Sequence, residues 1–413
     1  MGTEHGIEPR TLHPDDFDRW WDHLIRAFGG GPASPEERGL DRSLTEFDRA
    51  LAVWDGDAIV GTSGAFSFRM TVPGGGEVPT AGVTMVSVAA THRRRGVLTS
   101  MMRRLLDDAH TKGEPLAALF ASEPAIYGRF GFGAATFQLS AEIDTGRVAL
   151  SLPEGADEVR VRYAPPADVL KECEAVYAAL VPRRPGMLAR QPGWERAGLL
   201  DPESGRDGAS ALQCVVAERE GSVTGYARFR TRMGWGPSGH DGTVTLEELA
   251  ALDPATEAAL WRLLFGIDLM TKLTVRGRPV DEAWQHQVSD IRRCLPRLRD
   301  AGYVRLVDVG AGLSARTYLT PVDVVFDVED SFCTWNAGRW RLTGDAEGAS
   351  CERTTDTPDL SLSARELGAA CLGGVSLVSL AAAGRVRELR PGALTRASVA
   401  LGSPVAPWLP HGF

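Results

Sequence analysis

Apolar and polar residues follow two different periods along this chain, and the first is the period of a β-sheet. Short apolar runs on either side of an Asp-Gly turn at 55–57 predict a β-hairpin over residues 51–61. Further apolar runs at 66–72 and 80–88 are separated by the Pro-Gly-rich turn 73–76, which extends the hairpin into an antiparallel meander. The first part of the chain is therefore predicted to form an antiparallel sheet.

A helical period follows this sheet. Over 98–109 the apolar residues recur every three or four positions, with charged residues on the opposite face, which predicts an amphipathic helix. An apolar strand is predicted at 116–120, and Pro124 behind it is typical of a helix start. We expect this first unit to end near residue 150.

The same order of elements recurs in a second unit. The turn Glu220-Gly221 lies between two apolar runs, as the Asp-Gly turn does in the first unit. The helix of this copy is entered through Asp253-Pro254, where the first copy has a run of three arginines, so we expect no phosphate binding here. The predicted elements are strands at 214–217, 223–230, 244–249 and 273–275 and a helix at 255–267.

The remainder of the chain predicts a smaller α+β domain. The uncharged run 367–384 is long enough to suggest a membrane span, but its glycines and serines favour a buried core helix. These patterns divide the chain into domains at 1–150, 151–290 and 291–413. The predicted elements of the last domain are strands at 304–309 and 322–328, a hairpin over 332–341, and helices at 364–372 and 375–389.

Composition and charge exclude several classes of protein. Of 413 residues, 43% are hydrophobic and 24% are charged, as in ordinary globular proteins and unlike disordered or fibrous chains. Lys plus Arg number 45 against 54 Asp plus Glu, and this net charge of -9 disfavours a general nucleic-acid-binding function. The polar N-terminal segment contains no apolar stretch of a secretory signal, so we expect a cytoplasmic protein that does not enter a membrane. Six scattered cysteines without a Cys-x-x-Cys pair predict reduced core thiols and no metal site.

The strongest chemical signal lies where a strand runs into a basic turn and then into a helix. Residues 86–88 end the predicted strand, the turn carries three arginines and Gly96, and the amphipathic helix follows. Backbone N–H groups at a helix start, with the positive end of the helix dipole and arginines beside them, favour binding of a pyrophosphate. The alternative is that the arginines decorate an exposed turn. His92 either helps to hold this turn or lies on the surface.

A second glycine motif indicates a different ligand but lacks the context that this ligand requires. Residues 310–315 match the dinucleotide fingerprint Gly-x-Gly-x-x-Ala, and Glu329 or Asp330 lies near the expected acidic position. The helix that it would begin is cut short by Pro321, and no alternation of strands and helices follows. We therefore assign no nucleotide site there. The chain also lacks the Gly-x-Ser-x-Gly and His-Glu-x-x-His motifs of serine hydrolases and zinc peptidases.

Two motifs together resemble the Eis (enhanced intracellular survival) family of bacterial GNAT acetyltransferases: VAATHRRRG at 88–96 and SEPAIYGRFGFG at 122–133. Residues 93–98 are similar to the general GNAT signature Arg/Gln-x-x-Gly-x-Gly/Ala, with Leu98 at the final small position. The resemblance implies an α+β fold of tandem GNAT domains, each a mixed sheet flanked by helices, followed by a sterol-carrier-protein-like domain. It also implies acetyl-CoA as co-substrate and a homohexamer built as a dimer of trimers.

The resemblance further implies the roles of site residues. Tyr127 would be the general acid that protonates the departing CoA thiolate, since a phenol can donate to a thiolate. Phe413 would bring the C-terminal carboxylate into the active site, as a weak base or to steer a cationic amine. From the residues alone, Tyr127 is open to interpretation as a core aromatic and Phe413 as an inert terminus. The implied cofactor-binding residues are Val86, Ser87, Val88, Arg94, Arg95, Gly96, Val97, Leu98, Thr99, Ser122 and Glu123.

The acetyl acceptor implied by the resemblance is a primary amine of a small cationic substrate, above all an aminoglycoside at one or more amines. Gly412 and Met85 stand where family members can carry an acidic and an aromatic residue. A protein lysine or another amine metabolite is the alternative acceptor. The alternative function is binding of a lipid or apolar ligand by the C-terminal domain. Candidates for an acidic and aromatic pocket wall are Glu36, Glu37, Asp41 and either Trp20 or Trp21.

Overall fold

The computed structural model describes residues 8–31, 34–237 and 239–413. Its strands are β1 (Pro9–Thr11), β2 (Leu51–Asp55), β3 (Ala58–Thr71), β4 (Glu77–Val88), β5 (Leu116–Phe120), β6 (Gly133–Ala134), β7 (Phe137–Asp144), β8 (Arg160–Ala164), β9 (Gln213–Arg219), β10 (Ser222–Arg232), β11 (Trp235–Gly236), β12 (Gly239–His240), β13 (Gly242–Ala251), β14 (Met270–Arg278), β15 (Arg297–Asp300), β16 (Gly302–Leu306), β17 (Val322–Glu329), β18 (Gly338–Gly344), β19 (Ala349–Arg353), β20 (Leu360–Ser363) and β21 (Val386–Glu388). Its α-helices are α1 (Phe17–Ala27), α2 (Pro35–Leu44), α3 (Val97–Thr111), α4 (Pro124–Tyr127), α5 (Leu170–Leu180), α6 (Pro254–Phe265), α7 (Trp284–Gln287), α8 (Val309–Ser314), α9 (Ala364–Ala370), α10 (Leu377–Ala382) and α11 (Ala393–Leu401).

The chain folds into two compact units. One contains the described residues from 8 to 136 together with 301–413, and the other contains the described residues from 137 to 300. The first unit holds two sheets, and the second holds one large sheet and the small hairpin of β11 and β12. The predicted domain limits at residues 150 and 290 stay predictions.

The first sheet has the strand order β1-β2-β3-β4-β5-β16-β6. Strands β4 and β5 are parallel neighbours in this sheet, and the crossover helix α3 connects them. Residues of opposite parity in a strand face opposite sides of the sheet, so Leu51 packs with α3 while Ala50 and Ala52 pack with α1. The two helices therefore cover opposite faces of the sheet.

The second unit repeats this arrangement with strand order β15-β7-β14-β13-β10-β9-β8. The predicted hairpin of β9 and β10 is followed by antiparallel β13, and helix α6 leads to β14, which is parallel to β13. The core of this unit includes Trp261 from α6 and Trp284 from α7. The predicted order of elements in both copies is confirmed.

The third sheet belongs to the first unit and has the order β19-β18-β17-β20-β21. Strands β17 and β20 pair in parallel. Helix α9 packs on β16 and β6, so the C-terminal part of the chain lies directly against the first sheet. The fold is α+β throughout, as predicted.

The predicted core helix over 367–384 is wrong. Helix α9 ends at Ala370 and α10 begins only at Leu377. Between them Gly373 has a φ of +84°, and a β-carbon there would lie 2.7 Å from the backbone nitrogen of Ser403. This left-handed turn ends the helix, at the residues that separate the predicted helices 364–372 and 375–389. Likewise, the helix predicted to reach residue 389 ends at Ala382, before β21.

Two other predictions for the C-terminal domain are wrong. The strand predicted at 304–309 ends at Leu306 and joins the first sheet, since Asp308 caps the N-terminus of α8. The hairpin predicted over 332–341 is instead formed by β17 and β18, with the connection at 330–337. In both cases the strand partner comes from a part of the chain that local patterning does not identify.

The dinucleotide-like glycines lie inside helix α8 and serve close packing. A β-carbon on Gly310 would lie 2.7 Å from the ring of Trp340, and one on Gly312 would lie 2.9 Å from the side chain of Leu306. The sequence match therefore reflects helix packing rather than a phosphate loop.

The six cysteines are buried and unpaired, as the sequence predicts. In the ranges described, no helix has the length and apolar character needed to cross a membrane.

Candidate functional site: a cleft between separated strands

Strands β4 and β5 pair over a short stretch and then separate. Their parallel pairing joins residues 80–82 to 116–118. Just beyond it Met85 has a φ of +53°, and the register of β4 against β3 shifts. A bulge of this kind bends the strand away from its neighbour. In the described structure, residues 86–88 consequently have no strand partner on the β5 side, and their backbone groups border the gap.

The bulge is held by hydroxyl groups on β3 and β4. The hydroxyl of Thr62 donates to the backbone oxygen of Met85 at 2.8 Å. Its oxygen lies 2.6 Å from that of Ser87, which therefore acts as the donor in this second bond. The Ser87 side chain is thus occupied by a hydrogen bond within the sheet.

The basic turn leads into a helix N-terminus that no side chain caps. Gly96 is the N-cap residue, with a φ of +83°, and Arg94 before it has a φ of +61°. Helix α3 then runs for 15 residues from Val97, which is long enough for a full dipole. Its first N–H groups are consequently free for an anionic ligand.

His92 pins this turn to the first hairpin. Its Nε2 lies 3.0 Å from Oδ2 of Asp55, and its Nδ1 lies 2.8 Å from the hydroxyl of Thr91. The ring is mostly buried, with 11% of its side chain exposed. Of the two interpretations that the sequence left open, the structure supports the one in which His92 holds the turn.

A cleft of about 730 Å³ lies where the separated strand, the helix N-terminus and α4 meet. All but one of the predicted cofactor-binding residues line it, and so does Tyr127. Arg95, which is exposed, and Phe413 are not among the lining residues. The lining residues are Ala27, Phe28, Val86, Ser87, Val88, His92, Arg93, Arg94, Gly96, Val97, Leu98, Thr99, Ser122, Glu123, Ile126, Tyr127 and Arg129.

Several residues of this wall were not predicted. Arg129 lies in the motif that contains Tyr127, so the sequence carried a signal for it. Ala27 and Phe28, at the C-terminal end of α1, had no such signal. They reach the cleft only because α1 packs across β3 and β4.

Tyr127 is the last residue of α4, and its side chain is almost completely buried. Burial, and secondly the negative charge of Glu123, raises the pKa of Tyr127 above its ordinary value. The phenol is therefore protonated at neutral pH. Its ring packs edge-on against Phe132, and its hydroxyl has no hydrogen-bond partner within the described part of the chain. A protonated hydroxyl that lines a cleft and has no hydrogen-bond partner among the described residues is a suitable proton donor.

Phe413 also packs on β4 and β5, near the residues over which these two strands pair. The hydroxyl of Thr84 donates to its backbone oxygen at 2.8 Å. Its ring contacts those of Phe68 on β3 and Phe120 on β5, with centroids 5.0 and 5.6 Å away. Gly82 makes room for it, since a β-carbon there would lie 3.2 Å from the Phe413 ring. Phe413 is therefore docked on the sheet.

The docked tail passes the start of β16. Leu409 is buried, and a β-carbon on Gly302 would lie 2.8 Å from its side chain. Gly302 pairs with Phe120, the β5 residue that contacts the Phe413 ring. The position of the chain end therefore depends on a strand that the sequence places more than a hundred residues away from it.

None of the residues predicted for an acidic and aromatic wall is among those that line the cleft. Trp20 and Trp21 are core residues packed with Phe17, and the indole of Trp20 donates to the backbone oxygen of Leu51. Neither is therefore an open aromatic wall. Glu36 is exposed, while Glu37 accepts from the backbone nitrogen of Ser34 in a capping box. Asp41 is half-buried, and burial, with the nearby charge of Glu37 second, raises its pKa to about 6.

The corresponding helix of the second unit is closed to phosphate. Asp253 caps α6 by accepting from the backbone nitrogen of Thr256 at 2.9 Å and from its hydroxyl at 2.7 Å. The carboxylate occupies the position where an anion would bind, and Arg219 pairs with it at 3.3 Å. The structure thus supports the predicted loss of phosphate binding in this copy.

Family models match three consecutive parts of the chain. Two different models described as acetyltransferase (GNAT) domains match residues 8–135 and 186–306, and a sterol carrier protein domain matches residues 309–410. The predicted order of two GNAT domains and a sterol-carrier-like domain is confirmed.

Whole-chain relatives agree with these matches. An uncharacterized N-acetyltransferase of Streptomyces coelicolor is 72% identical over 411 residues, which cover 98% of this chain and 100% of the relative. The N-acetyltransferase Eis of Mycobacterium tuberculosis is 32% identical, over 90% of this chain and 91% of Eis. The crystal structure of Eis1 from Mycobacterium abscessus superposes with a TM-score of 0.84 at 31% identity, covering 98% of this chain and 100% of Eis1. The chain therefore belongs to the Eis family of GNAT N-acetyltransferases.

Proposed function

We propose that this protein transfers the acetyl group of acetyl-CoA directly to a primary amine of a small cationic substrate, with aminoglycoside-type antibiotics as the first candidates. The observation that carries the proposal is the cleft in which the separated strand β4, the uncapped N-terminus of α3 and the buried Tyr127 meet. Membership of the Eis family supports the class of acceptor.

In this proposal, the cofactor binds along the gap between β4 and β5. The backbone of residues 86–88 pairs with the pantetheine arm and polarises the thioester carbonyl. The N–H groups at the start of α3, together with Arg94 and Arg95, hold the pyrophosphate. Ser122 and Glu123 border the other side of the cleft.

The chemical step is a single displacement at the thioester. The amine nitrogen attacks the acetyl carbon, the bond between carbon and sulfur breaks, and the new bond is an amide. Tyr127 gives its proton to the departing thiolate, because its raised pKa keeps it protonated until the sulfur develops charge. The proton that the amine loses leaves through the terminal carboxylate or water.

The carboxylate of Phe413 is proposed as the acidic group nearest to the reacting amine. Thr84, which fixes its oxygen, lies two positions before Val86 on β4. A carboxylate there attracts a cationic acceptor and accepts its proton, either directly or through water. Half-buried Asp41 on α2 is a candidate for a further acidic contact, whereas Gly412 supplies none.

Release of free thiol from acetyl-CoA, measured with a panel of aminoglycosides, polyamines, arylamines and lysine peptides, tests the proposal. We expect release with aminoglycosides and its loss when residues are appended after Phe413. Release with lysine peptides alone would favour the alternative acceptor. Absence of release with every amine, despite acetyl-CoA binding, would contradict the proposed class of substrate.

Tyr127→Phe tests the acid. The change should lower kcat by roughly 10²-fold or more and leave the KM for acetyl-CoA within about twofold. Tyr318→Phe is a matched control, since Tyr318 is a buried phenol of the same unit whose hydroxyl donates to the backbone oxygen of Leu313, outside the cleft. Equal kcat values for Tyr127→Phe and the unchanged protein would remove Tyr127 from this role.

We also propose a homohexamer built as a dimer of trimers. The support is membership of the Eis family. Sedimentation equilibrium or mass photometry of untagged protein would give a mass six times that of the 44.4 kDa chain. A stable monomer at micromolar concentration would contradict this assembly.

A further inference from the structure

A buried ion pair lies behind the turn that carries Tyr127. Arg305, on β16, has none of its side chain exposed, and it pairs through Nη2 with Asp330, which follows β17 and has 2% of its side chain exposed. Two charges buried this completely are costly unless every contact is well made. The pair therefore has to be held by its surroundings.

The carboxylate of Asp330 is fixed by three further donors. Its oxygens accept from the backbone nitrogens of Phe332 and Cys333 at 3.1 and 2.8 Å and from the side-chain amide of Asn336 at 3.3 Å. The same amide also donates to the backbone oxygen of Leu306, directly after Arg305. Hydrogen bonds thus join loop 330–336 to strand β16.

The other terminal nitrogen of Arg305 forms a hydrogen bond with the turn that follows Tyr127. Nη1 donates to the backbone oxygen of Phe130, the last residue of the short helical turn Gly128–Phe130. This turn follows Tyr127 without any intervening residue. Gly131 comes next with a φ of +82°, a conformation that suits glycine and leaves room for the guanidinium.

Tyr127 has no side-chain hydrogen bond of its own to fix its direction, in the part of the chain that the structure describes. Its position depends on the backbone on either side and on the contact with Phe132. A hydrogen bond from a buried cation to a carbonyl is stronger than one between neutral groups. Arg305 therefore adds a charge-assisted hydrogen bond to the restraints on the backbone behind Tyr127.

We propose that Arg305 is a positioning residue for the reaction and acts through Tyr127. By holding the carbonyl of Phe130, the buried pair with Asp330 fixes the turn from which the phenol points into the cleft. The inference rests on the proposed role of Tyr127 as the general acid. It assigns catalytic importance to the C-terminal part of the chain, because Asp330 and Asn336 come from there.

The test compares Arg305→Lys in two backgrounds. Lysine keeps the charge opposite Asp330 but lacks the fork that binds the carboxylate and the Phe130 carbonyl together. In the unchanged background we expect kcat to fall by roughly tenfold or more, with the KM for acetyl-CoA within about twofold, since a small displacement of a reacting group is costly. In the Tyr127→Phe background the same change should alter kcat by less than about twofold, because the group being positioned is gone.

Arg49→Lys is the matched control. Arg49 is also buried in the first unit and paired with a buried carboxylate, that of Glu114 at 2.6 Å, but it does not line the cleft. We expect the Arg49→Lys variant to lose thermal stability but to keep the kcat of the unchanged protein. Should Arg305→Lys fail to fold, Asp330→Asn replaces it. The asparagine amide keeps the shape of the aspartate side chain but removes the negative charge that pairs with Arg305.

The outcomes separate the two proposals. If Tyr127→Phe has no effect on kcat, the proposed acid is wrong. If Tyr127→Phe lowers kcat but the folded Arg305 or Asp330 variant lowers it equally in both backgrounds, or not at all, positioning by Arg305 is wrong. A loss confined to the background with Tyr127 supports it.

Discussion

The hydroxyl of Thr84 donates a 2.8 Å hydrogen bond to the backbone oxygen of Phe413, a residue 329 positions further along the chain. In the proposed function, this oxygen belongs to the carboxylate that attracts the amine. Thr84 also directly precedes Met85, where β4 bulges away from β5. One strand therefore both opens the cleft and holds the end of the chain beside it.

Thr84→Val removes this hydrogen bond while keeping the shape of the side chain. Because hydrogen bonds to charged groups contribute about 1.5–3 kcal/mol, the carboxylate should lose its preferred position and turnover should fall by roughly tenfold. Steady-state kinetics with a saturating amine would measure the effect. Thr145→Val is the control, since the hydroxyl of Thr145 also donates to a backbone oxygen, that of Met270 in the second unit. Equal turnover in Thr84→Val and the control would argue against a role for this contact.

Leu409→Ala should release the tail without unfolding the protein. Leu409 is buried against Gly302, and its truncation removes the apolar contact that anchors the last residues. Turnover should fall and the C-terminus should become sensitive to carboxypeptidase. Leu401→Ala, at an equally buried leucine of α11, should lower the unfolding temperature more and turnover less. The opposite ranking would mean that the tail does not serve the reaction.

Glu123→Gln should move the alkaline limb of the pH profile of kcat. Burial is the main cause of the raised pKa of Tyr127 and Glu123 is the second, so removal of the negative charge lowers this pKa. An acid with a lower pKa loses its proton at lower pH, so the fall in kcat should begin earlier on the alkaline side. A pH profile of single-turnover rates would show the shift. An unchanged limb would indicate that Tyr127 does not set it.

Asp41→Asn should stabilise the fold at neutral pH. Burial raises the pKa of Asp41 to about 6, above its ordinary value of 3.8, so the folded state favours the protonated carboxyl. The unfolded chain releases this proton at lower pH than the folded one, so stability is lost as the pH rises from about 4 to 6 and stays lower above that. Urea unfolding should therefore show a gain for Asp41→Asn at pH 7.5 and almost none near pH 4. Equal gains at both pH values would assign the effect to something other than ionisation.

The elements of the cofactor cleft were predictable because their signals are local. The hairpin around the Asp-Gly turn, the arginine turn and the amphipathic helix α3 depend on residues that are neighbours in the chain. Backbone N–H groups are exposed at any uncapped helix start, so the proposed pyrophosphate position follows from the same short segment. The glycines of α8 show the limit of prediction from local motifs. Their spacing matches the dinucleotide fingerprint, but they serve helix packing.

Other features depend on contacts between distant parts of the chain, which no local pattern encodes. Strand β16 pairs with β5 although it lies near the C-terminal domain in sequence. Trp20 and Trp21 looked suitable for a pocket wall but are part of the core under α1.

The sequence by itself determined the fold class, the order of the domains, the basic turn and the motif around Tyr127, since periodicity and turn chemistry act over a few residues. Only the tertiary structure decided where Phe413 docks and which strand lies behind the Tyr127 turn. It also decided the hydrogen bond from Arg305 to the carbonyl of Phe130. These contacts join residues 329 and 175 positions apart. Their geometry follows from burial of the whole core, in which apolar packing and the need to pair every buried charge act together.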